Sequence, residues 1–183
     1  MTTQVVISTR RLRLRTWRRG DWKIFCSKLN TEAVLEFLGG PVSPRMVRQE
    51  IDWNLRHFAR HGFGFLALER KSDGKFVGFC GLIRVAEVAS PIRGQLEIGW
   101  RITENIWRCG YAFEAAKAVL EWAGSELPGQ TVYARINVRN EASAALARKL
   151  GMKRLKGADH THAADGMRLT IYAFNPAERS RRG

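Results

Sequence analysis

Apolar and polar positions alternate in short runs through the first half of the chain, a pattern typical of β-strands. In the run RLRLR at residues 11–15, the leucines predict an inward face and the arginines an outward face. Two longer runs, at residues 63–70 and 75–85, flank a Ser-Asp-Gly turn, which predicts a β-hairpin. Residues 95–102 continue as a strand, and Gly99 within it marks either a bulge or a close approach by a ligand.

Helical periodicity separates the first strand from the hairpin. Asp21 is placed as the N-cap of a helix through residue 29, and Thr31 as the N-cap of a short second helix. A longer helix begins after the N-cap Ser43 and ends at Gly62, with a proline at its first helical position. We therefore expect these helices to pack over the sheet.

The second half of the chain alternates between strands and helices. After residue 102 come a helix, a strand at 131–138, a helix at 141–150 and two closing strands at 152–156 and 168–174. Antiparallel strands followed by a β-α-β-α series and a closing hairpin predict an α/β (α+β) fold, with a mixed sheet and helices on both faces. The 183 residues predict a single domain (1–183), and the tail at 177–183 is expected to fray.

Composition argues against several classes of protein. Hydrophobic residues make up 45% of the chain, but no run approaches the roughly 20 residues of a membrane span, so we expect a soluble, cytoplasmic protein with no membrane partner. Cys26, Cys80 and Cys109 are widely spaced and contain no CxxC pair, which argues against disulfides and a zinc site. The pair His57 and His61 has metal-binding spacing without a third ligand nearby, so no metal is expected.

Net charge is the strongest signal in the composition. With 31 Lys and Arg against 17 Asp and Glu, the chain carries a charge of +14. Such a charge attracts anions, and the candidates are nucleic acid, a phosphorylated cofactor, a ribosomal surface and acidic substrates. A solvated basic face with no dedicated partner explains the same composition.

A glycine in front of an apolar helical run gives the first candidate binding site. Gly110 precedes the run YAFEAAKAVLEWAG, and the free backbone N–H groups at a helix N-terminus bind anions. Gly110 permits close approach of the backbone, Ala112 adds no bulk and Arg108 brings a positive charge. The segment predicts a pyrophosphate cradle, although ordinary packing of a helix against a strand also uses glycine.

The surrounding segments resemble the GNAT N-acetyltransferase superfamily. Its acetyl-CoA signature is Gln or Arg, two residues, Gly, one residue, then Gly or Ala, and Gly110 and Ala112 stand at the last two positions. Trp107 stands at the first position. That departure is frequent in the branch that resembles ribosomal-protein alanine N-acetyltransferases, whose W-x-x-G-Y-A-x-E-A pattern the chain matches. Three further segments match the branch in order: STRRLRLRTWRRGD, GKFVGFCGL and NVRNEASAALARKLGM.

The resemblance implies a mostly antiparallel sheet of about 6–7 strands with helices on both faces. Acetyl-CoA would lie in a splay between the strands at 96–103 and 131–138, with its pantetheine arm on strand backbone and its pyrophosphate on loop amides. The residues implied to contact acetyl-CoA are Trp100, Ile102, Thr103, Arg108, Cys109, Gly110, Tyr111, Ala112, Asn140 and Ser143.

Catalytic roles follow from the same resemblance. Glu97 is similar in position to a general base of parts of the superfamily, and it would take a proton from an amine that is mostly charged at pH 7. The alternatives are a Glu97 paired with an arginine, and His160 or His162 as the base. Ser143, or alternatively Tyr172, is implied to protonate the departing thiolate. Each also has a structural interpretation, as a first-turn serine and as a core aromatic residue.

The leading interpretation is an acetyl-CoA-dependent N-acetyltransferase that moves an acetyl group to a primary amine by direct attack in a ternary complex. The acceptor would be a protein N-terminus or a small-molecule amine, and backbone N–H groups near residues 100–102 would stabilise the oxyanion. The alternative is a basic RNA- or ribosome-binding protein with a GNAT fold and lost or vestigial catalysis. Nucleic-acid binding weakens steeply with salt, whereas bound acetyl-CoA raises the melting temperature at ordinary ionic strength.

Overall fold

The alternating segments form one continuous sheet in the computed structural model, which describes residues 3–162 and 166–176. The tail at 177–183, predicted to fray, lies outside the described residues. The strands of the described part are β1 (Val5–Ser8), β2 (Leu12–Arg15), β3 (Phe65–Arg70), β4 (Phe76–Arg84), β5 (Leu96–Ile102), β6 (Val132–Asn137), β7 (Lys153–Arg154), β8 (His160–Thr161) and β9 (Arg168–Phe174). Their order in the sheet is β1-β2-β3-β4-β5-β6-β9-β7, and β8 pairs with β9.

One pair of neighbouring strands departs from the antiparallel pattern. β5 and β6 run parallel, whereas the other paired strands are antiparallel. Among the described residues, β5 and β6 pair only at Leu96 with Val132 and at Glu97 with Tyr133. Beyond these pairs β5 continues along β4, while β6 continues along β9. The strands therefore part in a gap, here called the V, which confirms the predicted mixed sheet and its splay.

Helices cover both faces of the sheet, as predicted. They are α1 (Trp22–Lys28), α2 (Glu32–Leu35), α3 (Pro44–His61), α4 (Tyr111–Glu126) and α5 (Glu141–Lys149). The hydroxyls of Thr31 and Ser43 accept amide hydrogen bonds at the starts of α2 and α3, and Gly62 ends α3 with a φ of 75°. The predicted caps of α2 and α3 are therefore confirmed.

Two separate apolar clusters hold the helices to the sheet. Val119 and Leu120 of α4 and Ala147 of α5 are buried against one face, together with inward residues of β2 through β6. Phe25 of α1 and Ile51 of α3 are buried against the other face. The V consequently has α4 and α5 on one side and α3 on the other.

The run RLRLR contains β2, and the prediction that all of its arginines point outward is wrong for Arg15. Arg15 is only 4% exposed, and its guanidinium binds both carboxylate oxygens of Asp21, at 2.7 and 3.1 Å. Because a buried charge must be paired, the Asp21 carboxylate is taken up by this contact. Asp21 stands at the N-cap position of α1, as predicted, but its side chain makes no hydrogen bond to the first turn of α1. Its carboxylate instead accepts the amide of Arg18 at 2.8 Å, in the 3-10 turn Arg19–Asp21.

The sheet has nine strands in the described residues, more than the six or seven that the resemblance implied. The additional strands are β1, at one edge of the sheet, and β8, which is too short to show a period of two. Gly99 lies in unbroken register opposite Gly81, so it marks no bulge. A Cβ atom on Gly99 would lie 2.8 Å from the Phe65 ring, so the close approach is made by that ring and not by a ligand.

Candidate active site

The backbone of β5 supplies unpaired polar groups along one side of the V. The amide of Thr103 donates to Val77 at 3.0 Å, and the carbonyl of Gln95 accepts from Val85 at 3.0 Å. In an antiparallel ladder every second residue directs both backbone groups at the same partner, so the odd-numbered residues of β5 face β4. The amide of Thr103 is therefore taken by β4. The residues whose backbone groups face the V are Ile98, Trp100 and Ile102.

A loop with left-handed backbone follows β5 and leads into α4. Arg108 has a φ of 62° and Gly110 a φ of 81°. The amide of Cys109 donates to Ile106 at 3.4 Å, and the indole of Trp107 donates to the carbonyl of Ile102 at 2.7 Å. Within the segment at 108–112, four amides have no acceptor among the described residues: Arg108, Gly110, Tyr111 and Ala112. Together they form a cradle of N–H groups at the N-terminus of a 16-residue helix.

Arg11, which the sequence did not single out, fixes the position of this cradle. Its Nη1 donates to the carbonyl of Cys109 at 3.0 Å, and its guanidinium lies 4.3 Å from the ring centre of Tyr111. Its Nε also donates to Glu114 at 2.6 Å, and Thr9 donates to the same carboxylate. Burial opposes ionisation of Glu114, but the hydrogen bonds from Thr9 and Arg11 outweigh it and lower the pKa of Glu114. The first turn of α4 is thereby fastened to the turn between β1 and β2.

On the α5 side of the V, two predicted residues contact each other as expected. The side-chain oxygen of Asn140 accepts the amide of Ser143 at 2.9 Å, which caps α5. The indole of Trp100 reaches from β5 to α5 and donates to the Ser143 hydroxyl oxygen at 3.4 Å. The hydroxyl hydrogen of Ser143 therefore remains available to an acceptor in the V.

On the α3 side of the V, a network of charges joins the two parting strands. Arg135 of β6 donates to both carboxylate oxygens of Glu97 of β5, at 3.1 and 2.9 Å, and also binds Glu87. The Nε2 atom of His162 lies 3.5 Å from the Glu87 carboxylate. Burial opposes the charge of Arg135, but its bonds to Glu97 and Glu87 outweigh burial and raise the pKa of Arg135. We call Glu97, Arg135, Glu87 and His162 the acidic network.

The other predicted residues lie farther from this arrangement. Tyr172 on β9 is 4% exposed and belongs to the apolar cluster beneath α4 and α5, the position of a core aromatic residue. His160 belongs to β8, and its Nδ1 lies 3.4 Å from the carbonyl of Ala158. Of the two loop histidines, His162 therefore lies in the acidic network.

Two further charged residues lie between β5 and α3 near the open end of the V: Arg101 on β5 and Glu50 on α3. Arg101 follows Gly99 on the same face of β5, and its guanidinium lies 5.0 Å from the ring centre of Phe79 and 5.5 Å from that of Phe25. Its Nε is buried without a hydrogen-bond partner. Burial lowers the pKa of Arg101 and raises the pKa of the nearby Glu50 on α3, although each charge partly offsets the effect of burial on the other.

Comparison with known proteins decides the family. Residues 11–153 match the sequence model described as an acetyltransferase (GNAT) domain. The chain belongs to the GNAT acetyltransferase family. An uncharacterised protein from Bacillus subtilis (strain 168), YkkB, is 32% identical over 155 residues, which cover 83% of this chain and 87% of that protein. The resemblance predicted from the sequence is thereby confirmed.

Solved structures confirm the GNAT fold over nearly the whole chain. An acetyltransferase from Agrobacterium tumefaciens str. C58 has a TM-score of 0.77 at 23% identity, covering 96% of this chain and 95% of that one. RimL, a ribosomal L7/L12 alpha-N-protein acetyltransferase solved in complex with coenzyme A, has a TM-score of 0.76 at 17% identity, covering 94% and 98%. GNAT acetyltransferases use acetyl-CoA, which confirms the expected cosubstrate.

Two features typical of other protein classes are absent from the described part of the chain. No helix there is long and apolar enough to cross a membrane. No group of three or more His, Cys, Asp or Glu side chains in residues 3–162 and 166–176 is placed to hold a metal ion. The three cysteines are free thiols, and burial raises the pKa of Cys80.

The structure therefore brings together most of the predicted site. Glu97, Trp100, Ser143 and Asn140 border the V, and the loop at 108–112 follows β5 at the open end of it. Arg11, Arg135 and Arg101 were missed. Arg11 and Arg135 are drawn to the site by carboxylates distant in sequence, and a single sequence shows no such pairing.

Proposed function

We propose that this protein is an acetyl-CoA-dependent N-acetyltransferase that acetylates a primary amine by direct attack in a ternary complex. The single observation that carries the proposal is the V, where β5 and β6 part after Glu97 and Tyr133 and leave backbone groups unpaired. The cradle of amides at 108–112 stands at the end of β5 that borders this opening. In this proposal the chain acts as a single domain.

The donor would be held almost entirely by main chain. Trp100 directs its backbone amide and carbonyl into the V and Ile102 its amide, since the Ile102 carbonyl already accepts from Trp107; these groups can pair with the amide-bearing pantetheine arm. The unpaired amides of Arg108, Gly110, Tyr111 and Ala112 would bind the pyrophosphate, with the Arg108 guanidinium at its rim. Cys109 would contribute loop backbone, Thr103 side-chain packing, and Asn140 its amide group. These groups fit a long, flexible anionic ligand, and acetyl-CoA would supply an activated acetyl thioester to the site.

Proton removal from the amine would use the acidic network. Both oxygens of Glu97 already accept hydrogen bonds from Arg135, so Glu97 serves better to fix Arg135 than to take a proton directly. His162 is held beside Glu87, and we assign the general base to its imidazole. Glu97 as base remains the competing assignment, and substitution of each residue distinguishes them.

On the α5 side of the V, Ser143 would protonate the thiolate leaving group. Ser143 accepts a hydrogen bond from Trp100 and can donate its hydroxyl proton to the thiolate as the carbon–sulfur bond breaks. The serine would then regain a proton from solvent. The N–H groups of Trp100 or Ile102 would stabilise the carbonyl oxygen as it gains charge. Tyr172 is the alternative acid, although its buried position favours packing.

The acceptor would approach from the α3 side. Glu50 and Arg101 there carry opposite charges with no ion pair between them within 4.0 Å, so Glu50 can bind the ammonium group of an acceptor and Arg101 can donate to a carbonyl or carboxylate oxygen of the same molecule. A peptide N-terminus and a small amine both have this chemistry. RimL, which shares the fold, acts on a protein α-amine, and we favour a protein N-terminus for this chain.

The test combines donor binding with activity. We expect acetyl-CoA to raise the melting temperature at ordinary ionic strength, and thiol to be released from acetyl-CoA in the presence of N-terminal peptides more than polyamines or amino sugars. His162→Gln should lower turnover, whereas His160→Gln is the matched control. If acetyl-CoA gave no thermal shift while RNA bound with a steep salt dependence, the RNA-binding alternative would replace this proposal.

A further inference from the structure

A large groove lies outside the V, between the segment before α1 and the outer surface of α3. Its volume is about 920 Å³, and four of the residues that line it are Arg18, Arg19, Arg48 and Arg56. We call it the arginine groove. None of the proposed donor or acceptor contacts uses it, so its charge needs a separate explanation.

The arginines of the groove are poorly neutralised. Arg18 donates to Thr3 at 3.2 Å and lies 3.9 Å from Glu69, a carboxylate that also binds Arg13 and Arg15. Within the described residues, the other three arginines of the groove have no carboxylate within 4.0 Å. Asp52 is the one acidic residue in the lining, so four guanidinium groups face a single carboxylate. Since arginine stays charged at any physiological pH, the groove keeps an excess of positive charge.

One of these guanidinium groups is held in an orientation suited to anions. Arg48 lies 3.8 Å from the ring centre of Trp22, a cation–π contact that restricts its motion. A stacked guanidinium keeps its edge free, and that edge donates two parallel hydrogen bonds to a carboxylate or phosphate. Arg56 lies two turns farther along α3 in the same groove. The two arginines thus offer anion contacts about 12 Å apart along the helix axis.

The aromatic residues distinguish between the two classes of polyanion. Single-stranded nucleic acid is held by bases stacked on exposed aromatic faces. Trp17 is only 4% exposed and packs on Phe25 and Phe79, while the ring of Trp22 already carries Arg48. These rings contribute apolar walls, not stacking platforms, and Leu55 adds another apolar wall. Carboxylates mixed with apolar side chains, as in an acidic polypeptide, match this lining better than a phosphodiester chain.

The groove also lies close to the acceptor side of the V. Trp17 packs on Phe25 and Phe79, and Arg101 lies over the same two rings from β5. The groove and Arg101 therefore flank one aromatic cluster. The ring centres of Trp17 and Phe79 lie 6.0 Å apart, and the Arg101 guanidinium lies 5.0 Å from the Phe79 centre. Since an extended polypeptide advances about 3.3 Å per residue, about four residues span the distance from Trp17 in the groove to Arg101.

We propose that the arginine groove binds an acidic segment of a polypeptide acceptor, a few residues away from the amine that is acetylated. This inference rests on the proposed function for its link to catalysis, but the binding itself does not. The groove would select protein acceptors by charge and would leave acetyl-CoA binding unaffected.

The experiment compares fluorescein-labelled probes by anisotropy at two salt concentrations. The probes are a ten-residue peptide rich in Glu and Leu, the same peptide with Gln in place of Glu, and a single-stranded RNA 10-mer. The groove variant is Arg48→Glu with Arg56→Glu, and a milder form carries Gln at both positions. The control, Lys117→Glu with Arg148→Glu, makes the same charge change on α4 and α5, on the other face of the sheet.

We expect the acidic peptide to bind the wild type, the Gln peptide to bind at least about tenfold more weakly, and the groove variant to lose at least about tenfold in affinity. The control should change affinity by less than about twofold. Equal losses in the groove variant and the control, no binding of the acidic peptide, or RNA binding in its place would each overturn the proposal.

Activity separates this proposal from the proposed function. If the acidic peptide binds the groove but no peptide or amine is acetylated, the acetyltransferase proposal fails and the groove assignment stands. If peptides are acetylated with the same kcat/KM in the wild type and in the groove variant, the assignment of the groove to acceptor selection fails and the acetyltransferase proposal stands. The thermal shift by acetyl-CoA confirms that each variant is folded.

Discussion

The two sides of the V are lined by different chemical groups, backbone amides on one side and charged side chains on the other. Toward the loop and α4, the groups that border it are backbone amides, set free by a parting of strands and by left-handed residues such as Gly110. Toward α3, the groups are charged side chains, among them Arg135, Glu97 and Arg101. A main-chain site binds any ligand with the right shape and phosphates, whereas a side-chain site can be changed by single substitutions. We call the side toward the loop and α4 the donor side, and the side toward α3 the acceptor side. We therefore expect the proposed donor site to tolerate changes of side chain, and the proposed acceptor site to determine which amine is acetylated.

The two sides also differ in how their charges are balanced. Arg11 and Glu114 neutralise each other behind the amide cradle, so the cradle keeps its positive end for a ligand. On the acceptor side, Arg135 is satisfied by two carboxylates, but Arg101 retains a buried Nε without a partner. A buried hydrogen-bond donor without an acceptor lowers stability, unless a ligand supplies the acceptor. A ligand that accepts a hydrogen bond from the Arg101 Nε would remove this cost.

The sharpest test of a main-chain donor site is a charge placed inside it. We expect Gly110→Glu to weaken acetyl-CoA binding by about a thousandfold, because a carboxylate next to the pyrophosphate costs several kcal/mol. Gly129→Glu is the matched control, since Gly129 has a φ of 78° and open space around it but lies beyond the other end of α4. Isothermal titration with acetyl-CoA measures both. Equal losses in the two variants would assign the effect to backbone strain and not to an anion site.

The geometry of the proposed donor side was predictable because its signals are local. The unpaired amides follow from one glycine before a helix, and Asn140 and Ser143 lie within a single turn. Signals of this kind are present in a single sequence, and the order of the segments predicted the fold that the solved structures confirm. Thr103 was included because the resemblance places the pantetheine arm along this strand, and a resemblance does not show which side of β5 each amide faces.

The proposed acceptor side was predictable only in part: the pairing of Glu97 with an arginine was foreseen as an alternative, but not which arginine, because the contacts join distant parts of the chain. Arg135 meets Glu97 across 38 positions and Glu87 across 48. Arg15 was expected to face outward because alternation shows which residues share a face and not which carboxylate will cover an arginine. Gly99 was similarly ambiguous, since the Phe65 ring that fills the space above it comes from β3.

A substitution in the acidic network should separate proton transfer from binding. We expect His162→Gln to lower kcat by about a hundredfold while the dissociation constant of acetyl-CoA stays unchanged, because a general base acts on the amine and not on the donor. Glu97→Gln should lower kcat less if Glu97 fixes Arg135. Single-turnover kinetics at saturating acetyl-CoA measure both variants. A larger loss in Glu97→Gln than in His162→Gln would transfer the role of base to Glu97.

Substitution of Glu114, which holds Arg11 behind the amide cradle, should have a smaller effect on acetyl-CoA binding. Glu114→Gln removes a negative charge that holds Arg11, so Arg11 should release the Cys109 carbonyl and the loop should lose its fixed position. We expect the dissociation constant of acetyl-CoA to rise about tenfold, with little change in kcat at saturation. Glu121→Gln on the same helix, which removes an exposed pair with Lys117 at 3.6 Å, should leave the constant unchanged.

The smallest expected effect concerns the helix that borders the acceptor side. His57 near the end of α3 bonds Phe63 through Nδ1 at 2.9 Å and accepts the amide of Arg84 through Nε2 at 3.2 Å. Because Nε2 accepts this bond, the folded state holds the neutral ring. Burial lowers the pKa of His57, which the nearby His61 and Arg84 lower further and the Phe63 bond partly opposes. The unfolded chain therefore binds more protons, so stability is complete above about pH 6.5 and falls as the pH drops below it.

Substitution at this position should flatten that pH dependence. Between pH 7.5 and pH 5.5 we expect the wild type to lose about 1 kcal/mol of unfolding free energy more than His57→Gln, which corresponds to about 2–4 °C in Tm. His61→Gln is the control, since it removes the neighbouring ring, whose centre lies 4.5 Å away, but leaves both hydrogen bonds of His57 in place. If His57→Gln lost stability as steeply as the wild type, the pH dependence would have to come from another group. Retention of the wild-type dependence in the control together with its loss in His57→Gln would show that a neutral imidazole fastens α3 to β4 on the acceptor side.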